Sequence, residues 1–176
     1  TSQATDSWGN LAVISNTAAA QDVGGSLCLG GYDSGTRPTN FVTIAGRKEN
    51  GSDRAGYAAF ATTNSGGSAI ERMRLDSSGN LGLGVTPSAN GLGNPVFQML
   101  GNTMLYGDFQ ATILGRNAYY SSGWKYGATN YATQYEQMNG QHQWYTAPSG
   151  TAGNAISFTQ AMTLDASGNL GIGTSS

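Results

Sequence analysis

Residues 75 to 84 read LDSSGNLGLG and residues 164 to 173 read LDASGNLGIG, with eight identities in ten positions at a spacing of 89 residues. A fainter copy, DSWGNLAV, runs from Asp6 to Val13 and aligns with Asp165 to Ile172. In each full copy a short apolar run (Met73 and Leu75, or Met162 and Leu164) meets a cluster of Asp, Ser, Ala, Gly and Asn. A second run then follows, Leu81 and Leu83 or Leu170 and Ile172. A period of two places each apolar pair on one face of a strand. A Gly- and Asn-containing loop between two such strands reads as a β-hairpin. The opposite face of each returning strand is glycine, at Gly82 and Gly84 or Gly171 and Gly173. Glycine weakens a strand unless another backbone approaches closely, so these positions predict tight packing against a neighbouring strand or chain.

The segments between the copies carry the same period. GSLCLGG, NFVTIAG, GYAAFAT, ATILGRN and NAISFTQAMTL are short, β-branched or aromatic, and bounded by turn residues. Residues 130 to 140, NYATQYEQMNG, come closest to a helix, with Tyr131, Tyr135 and Met138 on one face, and read equally as strand or loop. The fold class is therefore all-β. Three modules are expected: 1–15 as the end of an upstream unit, 16–86, and an aromatic-rich 87–176 that opens with the linker PSANGLGNP. Their unequal spacing of 70 and 89 residues argues against a regular solenoid.

Leu, Ile, Val and Phe number only 28 of 176 residues, a level that often accompanies disorder. A net charge of −2 and 10% aromatic residues argue for order instead. Such a chain cannot fill a large core alone, and self-association supplies the missing burial. The charge excludes a broad positive field for nucleic acid or anionic membrane. No apolar run is long enough for a transmembrane helix. The start lacks an initiator Met and the pattern of a signal peptide, and reads as a fragment or a processed product. The single Cys28, set in SLCLGG, excludes an intrachain disulfide and is expected as a small buried apolar residue.

RMRLDSSGNLGLG and the ending AMTLDASGNLGIGTSS resemble segments of bacteriophage tail fibres and related appendages. In those proteins such a phrase often lies upstream of a C-terminal endosialidase-type intramolecular chaperone domain; none follows Ser176 in this sequence. The resemblance covers residues 70 to 86 and 156 to 176. It implies an elongated, fibre-like parallel homotrimer of β-sandwich or β-prism modules, each closed by a GNLGxG hairpin, carried on a virion outside the cell.

Candidate chemistry is sparse. Glu49 and Asp53 in RKENGSDR sit among Arg47, Lys48 and Arg54, which favours surface pairing over the paired carboxyls of a glycosidase. Asp76 and Asp165 recur at the turn, where a carboxylate bonds nearby backbone N–H groups. His142 is the only histidine, and no nucleophile elbow, paired thiol or metal motif occurs. Three copies of His142 around a threefold axis can hold a transition metal, but the flanking GQHQW favours an ordinary hydrogen-bonded His. No cofactor or metal is expected, and no catalysis.

The strongest signal is aromatic: 12 of 17 aromatic residues fall between Phe97 and Phe158, interleaved with Asn and Gln. Rings and amides suit the apolar faces and hydroxyl rims of sugars, and suit protein receptors too. Packing in a shared trimer core competes for the same rings. The candidate ligand platform is Tyr119, Tyr120, Trp124, Tyr126, His142, Trp144 and Tyr145. The reading is a non-enzymatic, homotrimeric tail-fibre or receptor-binding segment that attaches to a host-surface glycan or protein receptor. A purely structural shaft or capsid-attached fibre, and a polysaccharide-degrading tailspike with a site between subunits, are the alternatives.

Overall fold

Short alternating runs separated by turn residues become fourteen β-strands in the computed structural model, which describes residues 11–33, 38–88 and 91–173; no helix occurs among them. The chain divides into two compact units, the first ending at Arg72 and the second beginning at Met73. Most of the faint copy of the phrase at the start of the chain, and of the expected 1–15 module, lies outside the described residues.

The first unit is an antiparallel meander of β1 (Ser26–Tyr32), β2 (Pro38–Lys48) and β3 (Gly56–Thr63), followed by the start of β4 (Ala69–Leu75). Ala45 and Ala59 pair across β2 and β3 and are buried with Tyr57, whose hydroxyl donates to Asp22 Oδ1 at 2.6 Å. On the opposite face Leu27, Ile44 and Phe60 lie side by side in register and stay exposed. Cys28 corrects the sequence expectation: it is exposed. Its strand is the first of the meander, with few neighbours to bury it, so strand character alone did not imply burial.

The second unit is one sheet in the order β4–β5–β6–β7–β8–β11–β12–β13–β14, plus a two-stranded ribbon of β9 and β10. The strands are β5 (Leu81–Leu83), β6 (Val96–Met99), β7 (Thr103–Gly107), β8 (Ala111–Arg116), β9 (Ala118–Tyr120), β10 (Trp124–Tyr126), β11 (Asn130–Met138), β12 (Gln141–Gly150), β13 (Thr159–Leu164) and β14 (Leu170–Ile172). Within the sheet only β5 and β6 pair in parallel. Residues 130–138 are a strand: Ala132 and Gln134 alternate into the interior, which the Tyr131, Tyr135 and Met138 spacing had obscured.

One face of this sheet is covered. Val96, Met104, Tyr106 and Ile113 are buried together, with Leu92 and Trp124 packed over them. Each such side chain contributes about 1.5–3 kcal/mol on burial. A second cluster joins Ala118, Tyr126, Ala132, Ala147 and Ile156 under Trp124 and Phe158. Asn117 turns the chain off the sheet into the ribbon. It holds a left-handed backbone (φ 57°), accessible to Asn at low cost. Its amide Nδ2 lies 3.0–3.1 Å from the carbonyls of Ala128, Asn130 and Tyr131, and its Oδ1 accepts from Ala128 N–H at 2.7 Å.

The other face is open. A row of nine uncharged residues crosses it, one per strand and each paired with the next: Leu75, Leu81, Phe97, Leu105, Leu114, Tyr135, Trp144, Met162 and Ile172. Leu105, Leu114 and Ile172 are 46%, 48% and 73% exposed.

The two full copies of the phrase make the same turn. Asp76 Oδ1 accepts from the N–H groups of Ser78 (3.0 Å) and Asn80 (2.8 Å), and Oδ2 accepts from the Asn80 amide (2.9 Å). Asp165 repeats this with Ser167 (2.9 Å) and Asn169 (2.8 and 2.9 Å). Met73 faces Leu83 across the first turn, and Met162 faces Ile172 across the second. The glycine on the returning strand has a reason inside its own chain, at least in the first copy. A Cβ on Gly82 would overlap the carbonyl of Val85 and the ring of Pro87.

Candidate functional site

The aromatic residues expected to form one platform divide between the two faces of the second unit. On the covered side Tyr120 stands edge-on to Trp124 (5.4 Å, 85°), Trp124 to Phe158 (6.1 Å, 80°), and Tyr145 to Phe158 (6.3 Å, 63°). Offset and edge-on ring pairs add about 0.5–1.5 kcal/mol beyond area burial. Tyr126 belongs to the interior: it is 5% exposed, and its hydroxyl donates to the Pro148 carbonyl at 2.7 Å. Tyr119 and Tyr120 on β9, and Trp124 on β10, are half-buried. These rings fasten the ribbon to the sheet.

Tyr145 leans the same way. Its hydroxyl donates to Gln143 Oε1 at 2.7 Å, within a band of amides that includes Gln134 and Gln141. Burial pushes the Tyr145 hydroxyl pKa up, with Glu136 adding to it, and burial likewise raises the Glu136 carboxyl. Gln134 Nε2 donates to Glu136 Oε2 at 3.3 Å.

On the open face His142 and Trp144 come together with Tyr135, which is not among the candidates picked out from the sequence. Tyr135 and Trp144 are cross-strand partners with ring centroids 5.2 Å apart. His142 stacks on both, at 6.0 Å and 25° from Tyr135 and 6.4 Å and 23° from Trp144. Its Nδ1 shares a hydrogen bond with the Tyr135 hydroxyl. Beside the stack, Thr103, Leu114, Arg116, Thr133, Tyr135, Trp144 and Thr146 line a shallow concavity of about 400 Å³. Its floor is apolar, and Arg116 is exposed at its margin, opposite Thr103 and Thr133. The surface offers flat rings, hydroxyls and one cation. That chemistry suits apolar burial or stacking on a sugar face.

The carboxylates are structural where their partners are visible. Asp53 Oδ1 accepts from Ala55 N–H (2.7 Å) and the Asn50 amide (3.0 Å), and these bonds lower its pKa. Asp108 closes the β7–β8 turn. The Tyr106 hydroxyl donates to its Oδ2 at 2.6 Å, which lowers the Asp108 pKa and raises that of the tyrosine. Among the described residues no group of three or more His, Cys, Asp and Glu side chains is placed to hold a metal ion.

The pairing of Tyr135 with Trp144 was legible only once the register of β11 and β12 was known. The structural role of Asn117 left no sequence signal beyond the preference of Asn for turns. No family model and no curated protein matches the chain.

Proposed function

We propose that this chain is a non-enzymatic, self-associating segment of a tail-fibre-type viral appendage, homotrimeric and carried on the virion, that serves attachment to a host surface. The observation that carries the self-association is the open apolar row from Leu75 to Ile172 across nine strands. Leu75, Leu105, Leu114 and Ile172 in this row are exposed and the other five are half-buried, and apolar patches left to solvent mark interaction sites. A row that crosses the sheet of the second unit with no charged residue in it suits another copy of itself better than solvent. Three copies meeting about an axis would give the narrow shared core that a chain poor in aliphatics lacks. The virion and attachment parts of the reading rest on the likeness of the two hairpin phrases to tail-fibre segments.

Light scattering on the purified chain tests the assembly: a mass three times 18.2 kDa is expected. Leu114→Lys puts a charge in the middle of the row and is expected to reduce that mass with the β-sheet circular dichroism unchanged. A folded, monodisperse wild-type monomer would refute the assembly. Attachment is tested separately on a panel of bacterial surface polysaccharides. Retained binding in both Trp124→Ala and Trp144→Ala removes the aromatic platform from host contact.

A second reading, the purely structural shaft, is favoured by one specific arrangement. Tyr126, Trp124 and Phe158 are spent on the interior of the second unit, and Tyr145 packs beside them. It predicts trimers with no glycan affinity.

A further inference from the structure

The two copies of the phrase make the same turn but differ in what lies against them. In the first copy β6 runs parallel to β5, with Leu81 beside Phe97 and Leu83 beside Met99. The turn grips this strand at four points. Asn80 Oδ1 accepts from Val96 N–H at 3.0 Å. Leu83 O accepts from Leu100 N–H at 3.0 Å. The Pro95 ring sits 3.1 Å from where a Cβ of Gly79 would be, and Leu100 Cβ sits 3.4 Å from that position on Gly84. Asn80 is 3% exposed as a result.

In the second copy the equivalents are Asn169, Ile172, Gly168 and Gly173. Among the described residues nothing lies within 4 Å of a Cβ built on Gly168 or Gly173. Asn169 spends its N–H and its Nδ2 on Asp165, while its Oδ1 has no partner among the described residues. Leu170 and Ile172 are 60% and 73% exposed. Gly173 N–H points inward to Ala161 O (2.8 Å), so strand alternation turns the N–H and C=O groups of Leu170 and Ile172 outward. Among the described residues, strand β14 thus ends the sheet with an unpaired edge whose turn is already formed.

The geometry points to the free edge of β14 as an acceptor site for one extended segment, added in parallel. The segment it fits has the chemistry of Asn94 to Met99: a proline to lie on Gly168, then an apolar strand whose first N–H meets Asn169 Oδ1. Main-chain hydrogen bonds along the edge supply affinity, and the proline and alternate apolar side chains supply selection. The argument comes from the occupied first copy and is independent of the apolar row.

The test uses the protein of residues 1–176 and a synthetic peptide of residues 91–101, GLGNPVFQMLG, at concentrations up to the millimolar range. Binding is expected to slow hydrogen exchange at the amides of Leu170 and Ile172. Ile172→Pro removes an outward N–H without touching the pairing to β13, as edge strands tolerate, and is expected to abolish binding. A peptide N-methylated at the valine is expected to lose at least tenfold in affinity, which keeps the test sharp should the proline variant fold poorly. No binding overturns the proposal. So does binding that leaves Leu170 and Ile172 exchanging freely or that survives both changes.

Discussion

Asn80 and Asn169 occupy identical places in identical turns, so replacing each with alanine isolates the contribution of a single tertiary clamp. Asn80→Ala leaves the Val96 N–H unpaired in a place where Val96 itself is 3% exposed. An unmade buried hydrogen bond of this kind costs about 1–3 kcal/mol, and the lost bond to the Asp76 carboxylate adds about 1.5 kcal/mol. Asn169→Ala loses only its exposed bond to Asp165, worth about 0.5–1 kcal/mol. The first variant should therefore be less stable than the second by about 2 kcal/mol or more. Urea unfolding followed by tryptophan fluorescence reads the difference, with all three proteins at one concentration because association shifts the midpoint. Equal losses, within about 0.5 kcal/mol, would refute the argument that the clamp on β6 distinguishes the two copies.

Gly82→Ala should destabilise by about 2 kcal/mol or more, because backbone rather than a flexible side chain occupies the space, while Gly107→Ala, with open space around it, should change little; thermal melts of the two compare them directly. Asn117→Ala strands three carbonyls and one N–H at the root of the β9–β10 ribbon, and a loss of about 3 kcal/mol in urea unfolding is expected. Glu136→Gln removes a carboxylate that burial disfavours. A raised carboxyl pKa means that ionisation at neutral pH works against the fold, so the variant should melt higher at pH 7 and lose that advantage as the pH falls to about 4. Asp108 and Asp165 act in the opposite sense. Hydrogen bonds lower their folded pKa values, so their stabilisation is complete above the ordinary aspartate pKa and is lost as pH falls through the lowered values; a Tm series in acid follows it.

The turns were readable because Asp, Gly and Asn each act locally: the carboxylate of Asp76 or Asp165 reaches only four residues ahead. What surrounds those turns was not readable. The letters at Asn80 and Asn169 are the same, and the difference between a buried clamp and an exposed side chain is made by Pro95 and Val96, each sixteen residues beyond its partner, Gly79 or Asn80. The aromatic cluster shows the same limit. Composition drew attention to Tyr126 and Trp144 alike, yet their strands turn one inward and the other outward. That assignment depends on register, which a sequence this rich in small residues specifies weakly. Cys28 was misjudged because a strand's interior position and its burial were treated as one property.

In the sheet of the second unit nearly every strand lies beside the one made just before it, and the only detour, from β8 to β11, encloses the short β9–β10 ribbon. A polypeptide emerging from the ribosome can therefore extend this sheet one strand at a time, each new strand meeting an edge already in place. Few contacts wait for distant sequence, and short-range topologies of this kind fold fast for β proteins. A lengthening ribbon of this sort accepts additional strands at its growing edge without rearranging those behind it, which makes the architecture suited to change by the insertion or duplication of whole hairpins.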